Sequence, residues 1–489
     1  MLSQIHLDPR SEAPLYRQLY GQIKEMIESG ALARGERLPA TRELAIQFGL
    51  NRTTVSAAYE LLEAGQLIHG HVGRGSFVTG SAQAASLEWD EMLGGEESVP
   101  AAIAAPDGAI SFATSRPAER LFPLDDFRAA CSEVLASSRA AQILQLGSPA
   151  GYAPLRHYLI EEARREGLVR SHDDVIVTSG CQQGLDLVSR VLVKAGDTVV
   201  VEDPVYPGLR ALFQHSGVNL AGIPVGPAGI EIEALERALA AHRARLLVVT
   251  PNFQNPTGAT MPLESRLALL RLARQARLVL VENDIYGGLR YSGEPLPTIK
   301  QLDETGDTVL LRSFSKIAFP GLRVGWVVAP RALTARLAEA KQWTDLHTDQ
   351  LSQAILLRFA ESGRLAAHHA RVVAAGAERL GAALESCERH LPAGTRFTRP
   401  QGGMSLWVRL PEPLDAGELL PRAQREGVTY LPGRYFAVSR HEPGGLRLSF
   451  AGLEPAEIRK GVAVLGGVFA AELERLRRSD RMDPAPAMV

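Results

Sequence analysis

Cysteine is scarce in this chain, with three residues among 489. Cys131, Cys181 and Cys387 lie far apart in the sequence and show neither a pairing pattern nor the spacing of metal ligands. This scarcity argues against a disulfide framework and against a structural zinc site, and it is typical of a reducing compartment. We therefore expect a protein without a bound metal.

An excess of one charge and long apolar runs are also missing. The chain has 53 Lys and Arg against 55 Asp and Glu, a net charge of −2, so no global basic field attracts a polyanion. No run approaches the ~18–20 apolar residues of a membrane helix, and residues 1–14 lack the apolar core of a secretory signal. We expect a soluble, cytoplasmic protein with no membrane partner.

The chain is long enough for several domains, and 45% of its residues are hydrophobic. Changes in pattern predict an N-terminal domain over 11–80 and a large domain over 109–475. Residues 81–108 are small, acidic and proline-bearing, which is typical of a flexible linker. Residues 476–489 are predicted to form a disordered tail.

The first eighty residues predict three short helices and a hairpin. Apolar residues at i, i+4 spacing predict a helix over 14–30, "ATRELAIQFG" predicts a second over 40–49, and Asn51 can cap a third over 52–65. The glycine-rich stretch 66–80 predicts a two-stranded wing. The spacing of the last two helices is typical of a helix-turn-helix, whose second helix reaches DNA bases.

Periodicity alone leaves open an ordinary three-helix protein-interaction module. The blocks "PLYRQL", "ERLPATRELA", "NRTTVSAAYELLEAGQL" and "GRGSFV" together resemble the GntR-type winged helix-turn-helix over nearly its whole length. This resemblance implies a double-stranded DNA operator as partner. The residues to which it assigns DNA contacts are Arg42, Arg52, Thr53, Thr54, Gly73 and Arg74.

Strand-like and helical segments alternate between about residues 110 and 330. Continuous valine and leucine runs, such as "TVVVED" and "RLLVVTP", indicate strands that are buried on both faces. We therefore predict the α/β class, with a largely parallel, doubly wound sheet whose ligands bind at the carboxyl ends of the strands. The strand candidates are 174–179, 198–203, 245–251, 278–284, 308–313 and 325–330.

Polar residues follow several of these predicted strands. "TSGCQQG" opens a helix whose free N–H groups suit a phosphate, and "PNFQNPTG" carries Asn255. Asp284 and Tyr286 lie in "ENDIYGG", and Lys316 and Arg323 lie in "SFSKIAFPGLRVGW". Each residue alone is explained by capping, packing or solvation. Together they fit a planar, phosphorylated pyridine that needs a lysine amine.

The chemistry of such a ligand explains these residue types. A lysine forms a Schiff base only when it is neutral, and the apolar flanks of Lys316 favour loss of its proton. A carboxylate such as Asp284 keeps a pyridine nitrogen protonated, so that the ring accepts electrons. Tyr206 in "EDPVYPG" could stack on a planar ring.

The blocks "TSGCQQGL", "EDPVYPG", "PNFQNPTG", "ENDIYG", "SFSKIAFPGLRVGW" and "PQGGMSLWVRL" resemble fold-type I, class I aminotransferases, in order and in spacing. The resemblance implies pyridoxal 5′-phosphate as cofactor and a smaller C-terminal α+β subdomain. By it, Lys316 is the catalytic residue and holds the cofactor as an internal aldimine, while Asp284 pairs with the pyridine nitrogen. The other cofactor-binding residues that it implies are Cys181, Gln182, Tyr206, Asn255, Tyr286, Ser313 and Arg323.

Arg447 is the residue that the resemblance assigns to a substrate carboxylate, for which bidentate geometry is suited. It lies in "GGLRLSF", where apolar and polar residues alternate, and the alternative is a surface arginine on an edge strand. One position departs from the family. A tyrosine that reaches the neighbouring subunit's cofactor phosphate is usual five residues before Gly151, and here Leu146 stands there. One phosphate hydrogen bond is then missing, which bears on transamination more than on cofactor binding.

A GntR-type reader joined to an aminotransferase-like domain resembles the MocR/GabR/PdxR regulators, over residues 11–80 and 108–470. The resemblance implies a transcriptional regulator that senses an amino compound, or pyridoxal phosphate itself, at Lys316 and forms a head-to-tail homodimer. A working aminotransferase that carries a DNA-binding domain is the main alternative. A scaffold that binds no cofactor is a third.

Overall fold

In the computed structural model the chain divides into two units, Met1–Glu97 and Ser98–Val489. The division lies inside the predicted linker, most of which falls outside the described residues. No helix in the described part of the chain is both long and apolar enough to cross a membrane. The structure describes residues 5–11, 13–71, 75–79, 108–214 and 216–482, together with Leu2, Trp89 and Met92.

The N-terminal unit has the predicted order of three helices followed by an antiparallel hairpin. Its hairpin strands pair Ile68 with Val78 and His71 with Gly75. The elements are α1 (Leu15–Glu28), α2 (Thr41–Phe48), α3 (Arg52–Ala64), β1 (Ile68–His71) and β2 (Gly75–Val78).

The buried faces of these helices follow the predicted apolar spacing. On α1, Leu19, Ile23 and Ile27 are at most 3% exposed, and on α3 the side chains of Val55 and Leu62 are fully buried. Residues spaced three or four apart lie on one face of a helix, so these stripes meet in one core. The predicted helices and their inward faces are confirmed.

The turn between α2 and α3 also forms as the sequence predicts. Gly49 ends α2 with a φ of +63°, a conformation that glycine adopts without steric cost. The Asn51 side chain caps α3 by accepting the Thr53 backbone N–H at 3.3 Å. The Tyr59 hydroxyl donates to the backbone O of Pro39 at 2.8 Å and so fixes α3 against the start of α2.

The C-terminal unit contains every strand that the valine and leucine runs predict, with shifts of one or two residues at the ends. The eight-residue strand Asn219–Gly226 lacks such a run and was not predicted, and most of the short strands were missed for the same reason. Its strands are β3 (Ile110–Ser111), β4 (Asp173–Thr178), β5 (Thr198–Asp203), β6 (Asn219–Gly226), β7 (Gly229–Ile230), β8 (Ala244–Val249), β9 (Val279–Asn283), β10 (Val309–Ser313), β11 (Gly325–Pro330), β12 (Arg396–Phe397), β13 (Ser405–Arg409), β14 (Val428–Thr429), β15 (Leu431–Pro432) and β16 (Gly445–Ser449).

Eight of these strands form the central sheet, in the order β4–β11–β10–β9–β8–β5–β6–β7. The pairs β10–β9, β9–β8, β8–β5 and β5–β6 are parallel. Strand β11 runs antiparallel to both of its neighbours, so the sheet is mostly parallel but not wholly so. The predicted α/β class is confirmed, and the carboxyl ends of β5, β8, β9 and β10 lie along one edge.

Helices cover both faces of this sheet, because its strands carry apolar side chains on either side. The helices of the C-terminal unit are α4 (Leu124–Leu135), α5 (Ala140–Ile143), α6 (Ala153–Arg165), α7 (Cys181–Leu192), α8 (Pro207–Gln214), α9 (Ile232–Ala241), α10 (Leu263–Ala276), α11 (Ile299–Leu302), α12 (Arg331–Gln342), α13 (Gln350–Glu361), α14 (Arg364–His390), α15 (Ala416–Arg425) and α16 (Pro455–Met482).

A smaller α+β part follows the central sheet, as the resemblance implies. Its antiparallel sheet has the order β12–β13–β16–β15 and packs against α14, α15 and α16. Strand β3 pairs with β14, so the residues directly after the linker belong to this part. Helix α16 continues to Met482, which corrects the predicted tail: its boundary at 476 falls inside a helix. Residues 483–489 lie outside the described residues.

Candidate functional site

Lys316 ends a 3-10 turn, Phe314–Lys316, that directly follows β10. Its Nζ donates a hydrogen bond to the backbone O of Ser115 at 2.8 Å and lies 5.8 Å from the ring centre of Tyr286. Burial, and after it the positive charge of Arg447, lowers the pKa of the Lys316 amine to about 8. An amine with this pKa is about one tenth neutral at pH 7, several hundred times more than an ordinary lysine, and the neutral form is the one that a nucleophile requires.

Asp284 follows the end of β9 and is 6% exposed. Its Oδ1 accepts a hydrogen bond from Asn252 Nδ2 at 2.8 Å, and its Oδ2 accepts one from Arg312 Nε at 3.2 Å. Asn252 and Arg312 were not singled out in the sequence. The carboxylate is thus fixed at the strand edge by two donors on neighbouring segments.

Asn255, Tyr286 and Arg447 form a buried hydrogen-bonded chain. Asn255 Nδ2 donates to the Tyr286 hydroxyl at 3.3 Å, and Arg447 Nη1 donates to Asn255 Oδ1 at 3.0 Å. Burial raises the pKa of Tyr286 to about 12, so the phenol keeps its proton and remains a hydrogen-bond donor. The structure therefore brings together three residues that the sequence places 192 positions apart at most.

Arg447 lies on β16, which is paired on both sides, and it is 4% exposed. This location rules out the alternative of a surface arginine on an edge strand. Burial lowers its pKa to about 10, and its guanidinium lies 5.0 Å from the ring centre of Phe436. Among the described residues, its Nε finds no hydrogen-bond partner. A buried cation with an unused donor suits an anionic ligand.

The start of α7 and the Arg323 side chain form a cup of N–H donors. Helix α7 begins at Cys181, so the N–H groups of Cys181 and Gln182 have no partner within the helix. Gly180 precedes it with a φ of +84°, and a Cβ there would lie 2.5 Å from Arg323 Nη2. Glycine is therefore required for the guanidinium to approach the helix start, where an anion binds well.

The two serines of "SFSK" complete this cup. The Ser313 hydroxyl donates to Ser315 Oγ at 2.9 Å, and Arg323 Nη1 lies 3.5 Å from the same Ser315 oxygen. Ser315 was not predicted from the sequence. A usable signal was present, because Ser315 directly precedes Lys316 and lies two positions after Ser313, which was already a candidate for binding phosphate. Tyr206 follows β5 and is 40% exposed, so its ring is accessible to a planar ligand.

Leu146 lies at the surface of the same unit and is 72% exposed. The adjoining backbone is held by Gln350, whose Nε2 donates to the backbone O of Gln145 at 2.6 Å. An exposed leucine has no polar atom that could reach an anion. The Leu146 side chain therefore offers no hydrogen bond to a phosphate, and its backbone N–H donates to Gln145 Oε1 at 2.9 Å.

The candidate DNA-binding residues lie at the start of α2 and α3. Arg42, Arg52 and Thr53 are exposed, and Thr54 is partly buried. Their side chains extend from the first turn of each helix, which is where a helix-turn-helix contacts DNA. Gly73 and Arg74 of the predicted wing lie outside the described residues.

Replacement of Arg52 by alanine is expected to weaken operator binding by roughly 5- to 150-fold, since one arginine contact to a base contributes about 1–3 kcal/mol. Fluorescence anisotropy with the operator duplex measures this loss. Lys24→Ala, which removes the same charge from α1 at a side chain that is 42% exposed, is the matched control. Equal losses in the two variants would show that only bulk charge matters.

Comparison with known proteins gives the same division of the chain. Residues 115–465 match the family model described as aminotransferase class I and II. Residues 15–78 match the model of bacterial regulatory proteins of the gntR family. The two matched ranges contain all the candidate residues of the cofactor site and of the DNA-binding site.

Relatives of both kinds are found. The "Aromatic-amino-acid aminotransferase 1" of Thermococcus litoralis is 37% identical over 75% of this chain and 89% of its own. The "Probable rhizopine catabolism regulatory protein MocR" of Rhizobium meliloti is 30% identical over 98% of this chain and 99% of its own. The former match covers three quarters of this chain, whereas the latter covers nearly all of it and so includes both units.

One of the similar solved structures contains a derivative of the cofactor. The α-aminoadipate aminotransferase LysN from Thermus thermophilus, complexed with N-(5′-phosphopyridoxyl)-L-leucine, superimposes with a TM-score of 0.71 at 35% identity. It covers 79% of this chain and 100% of that chain. This chain therefore belongs to the aminotransferase class I and II family and, with its gntR-type N-terminal domain, to the MocR-type regulators that depend on pyridoxal phosphate.

The residues present fit this cofactor. The amine of lowered pKa, the open helix start with its guanidinium and serines, and the fixed carboxylate supply what an aldehyde, a phosphate and a pyridine nitrogen each need. The unused Nε of Arg447 remains for a ligand carboxylate.

Proposed function

We propose that this regulator senses an amino compound that carries a carboxylate, or pyridoxal phosphate itself, through covalent attachment at Lys316. The observation that carries the proposal is the partly buried Lys316 amine, which has a pKa of about 8 and lies at the same end of the sheet as Asp284. Bound pyridoxal phosphate supplies an aldehyde that condenses with amines and a ring that stores electrons.

Each residue of the site has a stated part in this proposal. Lys316 supplies the neutral amine, and Asp284 holds a proton on the ring nitrogen. Tyr286 and Asn255 donate to the ring hydroxyl, and Tyr206 stacks on the ring. The N–H groups of Cys181 and Gln182, the hydroxyls of Ser313 and Ser315, and Arg323 bind the phosphate.

Arg447 binds the carboxylate of the amino compound in this proposal. Its Nη2 also donates to the backbone O of Ala113, and Lys316 donates to that of Ser115. Both carbonyls lie within a few residues of the predicted linker. A ligand that engages Lys316 and Arg447 competes for these two hydrogen bonds, and the segment that leads to the DNA-binding unit loses them. By linkage, any resulting change in operator affinity equals the change in ligand affinity.

We also propose that the regulator is a head-to-tail homodimer. In support, exposed apolar side chains stand on the C-terminal unit, where Trp343 is 85% exposed and Leu144 is 66% exposed. Exposed apolar surface of this kind favours association. A dimer also matches an operator that has two half-sites. Because its partner is DNA, we propose that the protein acts in the cytoplasm.

The testing experiment is a screen of amino compounds on the purified, cofactor-loaded chain, read by its visible spectrum and by operator binding in the same samples. A compound that changes both supports the proposal. Compounds that change the spectrum and turn over many times with a 2-oxo acid, without any effect on operator binding, would favour a working aminotransferase. That second candidate is favoured by the family match and by the retained Lys316.

Attachment of the cofactor is expected to depend on pH through Lys316. Because only the neutral amine reacts and its pKa is about 8, the initial rate should rise about tenfold from pH 6 to pH 7 and level off above pH 8. Stopped-flow absorbance after mixing apoprotein with pyridoxal phosphate measures this rate. The rate at which a small primary amine reacts with pyridoxal phosphate, measured at each pH, corrects for the titration of the free cofactor. A rate that does not change between pH 6 and pH 7 would contradict the expectation.

A further inference from the structure

Arg312 connects the carboxylate of the site to the protein surface. It lies in β10 directly before Ser313, and its side chain is 22% exposed. Its Nε donates to Asp284 Oδ2 at 3.2 Å, and its Nη1 donates to Glu166 Oε2 at 2.6 Å. Glu166 follows α6 and is exposed. One guanidinium therefore bridges a buried carboxylate and a solvated one.

The other oxygen of Asp284 is held by a neutral group. Asn252 Nδ2 donates to Asp284 Oδ1 at 2.8 Å, and Asn252 Oδ1 accepts from Arg266 Nη2 at 2.6 Å. Arg266 is fully buried, so the orientation of the Asn252 amide is fixed. Among the described residues, Arg312 is thus the cation that donates directly to the Asp284 carboxylate.

Two more charged groups, Arg266 and Glu282, interact electrostatically with this carboxylate. Arg266 is attracted by both Glu282 and Asp284. Burial, and after it the charge of Asp284, raises the pKa of Glu282 to about 7. Neither group donates a hydrogen bond to Asp284, so their effect is weaker than that of the guanidinium in contact with it.

We infer that Arg312 is a positioning residue that acts through Asp284 and weakens the hold of this carboxylate on a proton at the ring nitrogen. The inference rests on the proposed function. A carboxylate favours a protonated pyridine by its negative charge, and a guanidinium on one of its oxygens offsets part of that charge. The ring then stores electrons less well.

The consequence is a preference between two reactions of the same site. Exchange of one amine for another takes place at the aldehyde carbon and needs no electrons stored in the ring. Removal of a proton next to the amine, which transamination requires, depends on that storage. Arg312 therefore favours binding and exchange of an amino compound over its conversion, as a sensor needs.

The charge of Arg312 persists across the working pH range. Burial alone would lower the pKa of Arg312, but the carboxylates of Asp284 and Glu166 outweigh burial and raise it above the ordinary value. A purely structural role, in which Arg312 only ties α6 to the sheet, is the competing explanation. This explanation predicts that removal of Arg312 lowers the free energy of unfolding and leaves the protonation of the ring nitrogen unchanged.

The test uses Arg312→Met in the full-length protein loaded with pyridoxal phosphate that carries nitrogen-15 in its ring. The nitrogen chemical shift distinguishes a protonated from an unprotonated ring and does not depend on turnover. We expect the nitrogen-15 signal of the variant to move toward that of the protonated ring. If the pKa of the ring nitrogen rises by one unit, the ratio of protonated to unprotonated ring rises about tenfold. The rate of a single half-transamination should rise by a similar factor.

Three comparisons make the outcome decisive. Arg312→Lys, which keeps the charge, should restore the wild-type shift. Glu166→Gln should move the nitrogen-15 signal toward the unprotonated ring. Without the Glu166 charge, the Arg312 guanidinium offsets more of the negative charge of Asp284. Arg156→Met is the matched control: the Arg156 side chain is 24% exposed and pairs with Asp174 at 2.9 Å.

Each outcome supports or overturns a defined statement. A ring shift in Arg312→Met that equals that of the wild type and of Arg156→Met overturns the role of Arg312 and leaves the proposed function standing. A wild-type chain that takes up no cofactor overturns the proposed function, and the inference with it.

Discussion

The Lys316→Ala protein is expected to lose all of the visible absorbance that pyridoxal phosphate gives the wild type. The side chain supplies the only ε-amine that the described residues place on the site, and alanine has none. Attachment becomes noncovalent, so cofactor affinity should fall steeply and an added amino compound should no longer change operator binding. Absorption spectra after dialysis, together with operator titrations, measure both effects.

The control for this variant is Lys194→Ala, which removes an exposed lysine that directly follows α7 and its C-cap. Its spectrum and its response should match those of the wild type. Operator affinity without ligand should be retained in Lys316→Ala, because the DNA-binding unit has its own core. Visible absorbance that survives dialysis of Lys316→Ala would disprove the assignment of this lysine.

Replacement of Arg447 by methionine is expected to abolish the selection of carboxylate ligands. Truncation of one partner of a buried charge pair costs about 2–5 kcal/mol, or roughly 30- to 5000-fold in affinity. Methionine fills a similar volume without a charge, so the fold should survive. Spectral titration of cofactor-loaded protein measures the affinity.

A pair of ligands isolates the role of the guanidinium. An amino acid should bind far more weakly to Arg447→Met than to the wild type, whereas the amine that lacks its carboxylate should bind both proteins about equally. Arg447→Lys keeps the charge but loses the two-pronged geometry, and we expect it to be intermediate. Equal weakening of both ligands would mean that Arg447 only supports the structure of the site.

Much of the fold could be predicted because buried parallel strands leave a strong sequence signal. The runs in β5, β8, β9 and β10 are continuous valine and leucine, and the polar residues that follow them stand at the edge where ligands bind. Strand β6 has no such run: "NLAGIPVG" contains glycine and proline, which argue against a strand. The two-residue strands are too short for any pattern.

The contacts within the site were less predictable. Asn252, Arg312 and Ser315 bind Asp284 or the anion cup, yet no local pattern marks them. Asn252 lies 32 positions from Asp284, and only the order of strands in the sheet makes them neighbours. Arg312 contacts Asp284 and Glu166, which lie 28 and 146 positions away, so its role also depends on the tertiary fold.

The unused Nε of Arg447 has a consequence for the heat stability of the protein. An incompletely solvated buried cation destabilises the native state, and a carboxylate that binds it removes that penalty. Bound ligands raise the unfolding temperature in proportion to the logarithm of their concentration above the dissociation constant. A melting-temperature screen therefore finds effectors that leave the colour of the protein unchanged.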